Sequence, residues 1–257
     1  MRLFGITGPI GHGKTTLADA LMTLENPAVH FEPSNVIAEV ANEWFATFPK
    51  ELLVDPIDYS ILNRWTTDLA TVISHQIKYV DPNQLRITHD QVIGESKYYF
   101  KLFMYINLIR QGVIPFAEPI TLANKDKHRN ILQWIGGFVV HRADQGIWFE
   151  HIEKLLKKAE KDGVKLGIVG GIRYPYDAEV IRRNKGIIIK LLRADLPERE
   201  LADITEEHRN EIKVDTTFIS DSKPNAFKEM VKIFYRDYLT NDMLKTYNSN
   251  DYQPLAD

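Results

Sequence analysis

The 257 residues are 44% hydrophobic and 26% charged, enough apolar matter for one large α/β domain or two small ones and too much for a disordered chain. A formal net charge of −3 supplies no basic footprint for duplex DNA or an anionic membrane, so neither nucleic acid nor a membrane is an expected partner. Cysteine is absent, which excludes disulfides and thiol chemistry and fits a cytoplasmic protein.

The first apolar run stops at Gly8, too short for a signal segment, and no later stretch reaches the length of a membrane span. Residues 2–7 (RLFGIT) read as a buried strand that ends in a glycine-rich turn. A helix over 14–24 follows, with Leu17, Ala20, Leu21 and Leu24 on one face, and a second strand is expected at 28–31. Apolar residues at 36, 37, 40, 41, 44 and 45 have helical spacing. Asp55-Pro56 has the form of a cap and first-turn proline, predicting a helix from there toward His75. The polar segment 81–90 reads as loop, and 96–111 as a helix stopped by Gly112.

The last part has a regular rhythm. Strands are predicted at 164–169, 186–192 and 214–219, and helices at 145–161, 176–184, 197–208 and 224–239. Continuous apolar strands alternating with amphipathic helices imply a parallel sheet covered on both faces. The expected architecture is a five-stranded parallel sheet flanked by helices in one domain over 1–257, with 46–128 as a mostly helical insertion.

One motif carries explicit chemistry. Gly8-Pro9-Ile10-Gly11-His12-Gly13-Lys14-Thr15 satisfies the P-loop pattern, after a predicted strand and opening a predicted helix. Its glycines let successive backbone N–H groups turn toward phosphate oxygens, and the helix N-terminus adds positive potential. The expected ATP phosphate-binding residues are Gly8, Gly11, His12, Gly13, Lys14, Thr15 and Thr16. Lys14 would reach the β- and γ-phosphates, and the Thr15 hydroxyl would ligate Mg²⁺. The guanine-reading motif of GTPases is missing, because Asn124-Lys125-Asp126-Lys127 has lysine where aspartate belongs. The expected class is therefore a small kinase.

Three later stretches, in order and spacing, resemble the bacteriophage-type deoxynucleoside monophosphate kinase family. The first runs from Arg129 through Trp134, Gly136, Gly137, Arg142 and Asp144 to Trp148. The second is Ile168-Val169-Gly170-Gly171-Ile172-Arg173-Tyr174-Pro175-Tyr176-Asp177, and the third extends from Leu192-Arg193 to Ser220-Asp221. With the P-loop they cover most of 1–25 and 129–235, whereas 46–128 shows no match. The resemblance implies the P-loop kinase fold and a reaction in which ATP with Mg²⁺ converts a deoxynucleoside monophosphate to its diphosphate. It implies an acceptor site drawn from Arg129, Trp134, Gly137, Arg142, Asp144, Trp148 and Asp177, with Arg129 on the acceptor's phosphate. It also implies a lid over 196–211 involving Arg193 and Arg199, and a homodimer is compatible with it.

Arg173 directly follows a predicted buried strand, at the edge where open α/β sheets bind ligands, and joins Lys14 as a catalytic candidate. Plainer readings stand beside several of these residues. Lys125, Lys127 and His128 make a run that reads as solvated, Asp144 sits where a helix cap would sit, and Trp134 and Trp148 suit a core. The family has aspartate where Gly171 stands; Asp177 and Glu32 are the nearby acids that could replace it, or the acceptor differs. The rival readings are a kinase acting on another acceptor, such as a hydroxymethylpyrimidine in DNA, and a nucleotide-dependent switch protein without transferase activity.

Overall fold

In a computed structural model of the chain, residues 1–85, 96–116, 118–121, 123–142, 144–196, 208–221 and 223–252 are described, without the side chains of 96–99 and 141–142. The elements in chain order are β1 (Arg2–Thr7), α1 (Lys14–Met22), β2 (Ala28–Phe31), α2 (Pro33–Ala46), α3 (Tyr59–Thr67), α4 (Leu69–Gln76), α5 (Pro82–Leu85) and α6 (Ser96–Arg110). They continue with α7 (Arg129–Arg142), α8 (Ile147–Lys161), β3 (Leu166–Val169), α9 (Pro175–Arg183), β4 (Ile187–Arg193), β5 (Thr216–Ser220), α10 (Pro224–Thr240) and β6 (Thr246–Asn248). Among the described residues no helix is long and apolar enough to cross a membrane.

The chain groups into two compact units, one of Met1–Glu32 with Ile152–Asp257 and one of Pro33–His151. The second takes in more than the 46–128 expected from sequence, because α2, α7 and the start of α8 belong to it.

The first unit is a wholly parallel sheet of order β2-β3-β1-β4-β5-β6. It has six strands, not the five expected. β6 escapes a periodicity argument because it is three residues long with Tyr247 its one buried position, and it forms by pairing on the exposed edge of β5. β1 lies inside the sheet, and strand order reverses about it: β3 and β2 lie on one side, β4 to β6 on the other. In an open α/β sheet ligands bind beyond the strands' carboxyl ends at such a reversal.

Strand alternation sends even-numbered residues of β1 to one face and odd-numbered ones to the other. On the even face Phe4 and Ile6 pack with Leu17 and Leu21 of α1 and with Met230 and Phe234 of α10, and the Phe4 and Phe234 ring centroids are 5.5 Å apart. On the odd face Gly5 leaves space for α9: an added Cβ would come within 2.3 Å of Ile172 Cδ1 and 3.2 Å of Ile181 Cγ1. Gly167 does the same for Leu156 of α8. Helices therefore cover both faces, and buried strands need the near-continuous apolar runs read from the sequence.

The second unit is helical among the described residues. The single helix expected from Asp55 toward His75 is two, with Asp58 capping the first by accepting from the Ser60 and Ile61 amides. The core is a column of rings. Trp65 stacks on Trp44 at 3.8 Å and 6°, Trp44 on Trp134 at 5.4 Å, and Trp134 on Phe138 at 5.1 Å. Trp44 Nε1 donates to the Trp65 carbonyl at 2.8 Å, and Trp65 Nε1 returns a bond to the Trp44 carbonyl at 3.3 Å. These polar tips are satisfied while the rings stay buried. Beside the column, His128 is fully buried, its Nδ1 2.5 Å from the Tyr105 hydroxyl and its Nε2 3.6 Å from Glu118 Oε2. The run expected to be solvated thus ends in a core residue. Burial pushes the imidazole below its usual range and the Tyr105 phenol up.

Because Trp44 lies at the middle of the column, Trp44→Ala should destabilise the protein by about 3–5 kcal/mol and Trp44→Phe by less. All four tryptophans lie in residues 33–151. Emission from the remaining three during urea denaturation therefore reports this unit, and an unmoved Trp44→Ala midpoint would remove the column from its place as the core.

Candidate functional site

The loop between β1 and α1 contains three glycines with positive φ: Gly8 at 144°, Gly11 at 82° and Gly13 at 88°. Side chains are strained there, so the glycines are a conformational requirement. Gly8 has a second reason, since an added Cβ would lie 2.3 Å from the Leu191 carbonyl oxygen of β4. Gly13 precedes α1 in the left-handed conformation, and its carbonyl starts the helix by accepting from the Leu17 amide at 3.0 Å. The first-turn N–H groups of α1 stand at the carboxyl edge beside β1, where their partial positive charge favours an anion. Lys14 Nζ donates to the carbonyls of Gly8 and Pro9, both at 2.8 Å, placing the ammonium over the turn. Thr15 and Thr16 are exposed on the same helix end.

The His12 side chain faces the neighbouring strand. It is 3% exposed, and Nδ1 accepts from the Arg193 amide at 3.0 Å. That bond assigns the neutral ring's proton to Nε2. The imidazole ties the loop to the end of β4. Thr7, which sequence reading passed over, makes the matching tie on the other side: its hydroxyl donates to the Ile172 carbonyl at 2.9 Å, while the Ile172 amide donates to the Ile6 carbonyl. A threonine ending a buried strand gives no periodic signal, so spacing could not single it out.

Arg173 stands at the carboxyl end of β3, half-buried, at the start of the turn into α9. Asp177 fixes that turn. Its Oδ2 accepts from the Arg173 amide at 2.9 Å and the Tyr174 amide at 3.0 Å, so it lies at the third position of a capping box. The carboxyl is 3% exposed, and burial pushes it up to about 7 against the downward pull of the two amides and the Arg173 charge.

Lys14, Thr15, Arg173, Asp177 and Arg193 belong to the first unit; Arg129, Trp134, Gly137, Arg142, Asp144 and Trp148 belong to the second. There Arg129 pairs with Asp126 at 2.5 Å, and exposed Asp144 accepts from the Gly146 amide at 2.8 Å, a local turn bond just before α8. Trp134 and Gly137 are buried on α7, and Trp148 is buried with its Nε1 donating to the Gly136 carbonyl at 3.2 Å. The Arg142 side chain lies outside the described residues, as do Arg199 and positions 197–207 of the expected lid. Arg193 is described, and its guanidinium pairs with Asp195.

No family model matches the chain, and no curated protein matches it.

Asp177 gives a pH test with a definite sign. A carboxyl raised in the folded state above its unfolded value of 3.8 adds stability below that value, and the contribution is lost as pH rises through about 7. The wild-type urea midpoint should therefore fall relative to that of Asp177→Asn as pH is raised across this range. A difference between the two proteins that stays constant with pH would mean Asp177 is ionised throughout.

Proposed function

We propose that the chain is a P-loop kinase that transfers the γ-phosphoryl group of ATP to a deoxynucleoside monophosphate, releasing ADP and the diphosphate. The observation that carries this reading is the Gly8–Thr15 loop. Three positive-φ glycines lead from a buried strand into a helix N-terminus, with a lysine folded over the turn, at the reversal of strand order.

In such a transfer a phosphate oxygen of the acceptor attacks the γ-phosphorus in line, and the bridging oxygen leaves with ADP. The loop amides and Lys14 hold the donor's β- and γ-phosphates. Thr15 would hold Mg²⁺, which would supply charge neutralisation for the transferring phosphoryl group. Arg173, carried on a turn fixed by Asp177 and β1, offers a planar fork that can grip a transferring phosphoryl group at two oxygens. The acceptor class rests on the resemblance from Arg129 to Trp148 and from Ile168 to Asp177, with Arg129 on the acceptor's phosphate and Asp144 toward its sugar or base. Arg193 and Arg199 would serve the lid over 196–211.

The deciding measurement is coupled ADP release with each deoxynucleoside monophosphate, each ribonucleotide, and DNA containing 5-hydroxymethylpyrimidines. Turnover should require a monophosphate. Turnover on DNA alone would transfer the reading to the polymer acceptor, and ADP binding without acceptor-dependent release would make the chain a switch.

Lys14→Ala should lower turnover by about a hundred-fold or more, since it removes charge compensation in the transition state. Arg173→Lys should be nearly as damaging as Arg173→Ala, because lysine keeps the charge and loses the fork. An active Arg173→Lys enzyme would leave that residue a merely electrostatic role.

A further inference from the structure

The absent acid at Gly171 leaves a chemical gap. Mg²⁺ bound with a nucleotide keeps several waters and takes one or two protein carboxylates besides the phosphates. Among the acids near this edge, Asp177 lies on the face away from α1. It is buried at the start of α9, on the odd face of the sheet, and its Oδ2 already accepts two backbone amides.

Glu32 is placed differently. It follows β2 directly at the carboxyl edge, and the register pairing His30 with Ile168 and Phe31 with Val169 sets it level with Gly170. Alternation puts Glu32 and Gly170 on the same face as Leu166 and Ile168, which pack in the core cluster with Leu17, Ala18 and Leu21 of α1. Thr15 stands in the first turn of that helix, so Glu32 and Thr15 share one face and one edge of the sheet.

The carboxylate also lies across β3 toward β1. A Cβ on Gly170 would come 2.5 Å from Glu32 Oε1 and 3.1 Å from His30 Nε2, so any side chain at 170 would displace the acid. Behind it, His30 Nε2 is 3.4 Å from Glu32 Oε1, buried and without a hydrogen-bond partner among the described residues. The bare glycine at 170 is the cradle that lets a carboxylate from β2 lie over the end of β3.

We propose that Glu32 is the carboxylate that holds nucleotide-bound Mg²⁺ through its water shell. The proposal rests on the P-loop reading above, and one binding experiment separates the two. ADP affinity is measured by calorimetry for the wild type, Glu32→Gln and Lys14→Ala, each with Mg²⁺ and with EDTA.

The wild type should bind ADP more tightly with Mg²⁺. Glu32→Gln should lose that gain, by about ten-fold or more as for other outer-shell metal partners, with its affinity in EDTA unchanged. Lys14→Ala should bind weakly under both conditions. Gly170→Ala, whose methyl would push the carboxylate aside, should reproduce the Glu32→Gln result and covers the case in which that variant does not fold. Undiminished ADP binding by Lys14→Ala would overturn the P-loop reading itself. Weak binding by Lys14→Ala together with a full Mg²⁺ gain in Glu32→Gln or Gly170→Ala would overturn the Glu32 assignment alone. So would a wild-type affinity indifferent to Mg²⁺, or loss of the gain in Asp177→Asn instead.

Discussion

The loop after β1 is clamped by the strands on both sides of it, and the chemistry proposed for this chain depends on that clamp. On the β3 side, the Ile172 amide meets the Ile6 carbonyl and the Thr7 hydroxyl meets the Ile172 carbonyl. On the β4 side, Gly8 lies against the Leu191 carbonyl and His12 accepts from the Arg193 amide. A phosphate cradle works by pointing backbone N–H groups at fixed positions before the ligand arrives, so that little reorganisation accompanies binding. Glycines allow the required conformation but do not enforce it. The neighbouring strands enforce it, and the buried histidine inside the glycine-rich loop is part of that tie.

The same clamp links the loop to Arg173. That residue follows Ile172 directly, and its amide is held from the other direction by Asp177. Its backbone is thus fixed to the end of β1 and to the start of α9 at once. A guanidinium can grip two oxygens only if its stem starts from a steady place, so the acid that holds the turn is as much a part of the arrangement as the cation.

How much of this was legible in the sequence follows from what repeats and what does not. Strands buried on both faces write continuous apolar runs, and RLFGIT, LGIV and IIIKLL were readable for that reason. The loop was readable because positive φ selects glycine at fixed spacing. Edge strand β6 was not, since one buried tyrosine makes no pattern. The break between α3 and α4 at Asp68 was missed because both helices are amphipathic and the apolar spacing runs on through it. His128 was misread because its neighbours Lys125 and Lys127 are polar, while its partner Tyr105 lies in another helix. Trp134 and Trp148 carry no mark that separates a stacking platform from a core, and burial alone places them in the latter setting.

Glu32 and Asp177 show the same limit at the level of chemistry. Both are acids near one sheet edge, and Asp177 sits close in sequence to Arg173 and Gly171, which would favour it on proximity alone. Strand alternation sets them apart. Asp177 opens α9 on the odd face and spends its carboxylate on backbone amides, while Glu32 continues the even-face row of β2 under α1. A role lost at one strand can be regained at the next strand over, provided the intervening residue is small enough to let a side chain pass. Gly170 meets that condition. In a parallel sheet the functional unit at the carboxyl edge is a face of several neighbouring strand ends, so a substitution that looks like loss along one strand has to be judged across the row.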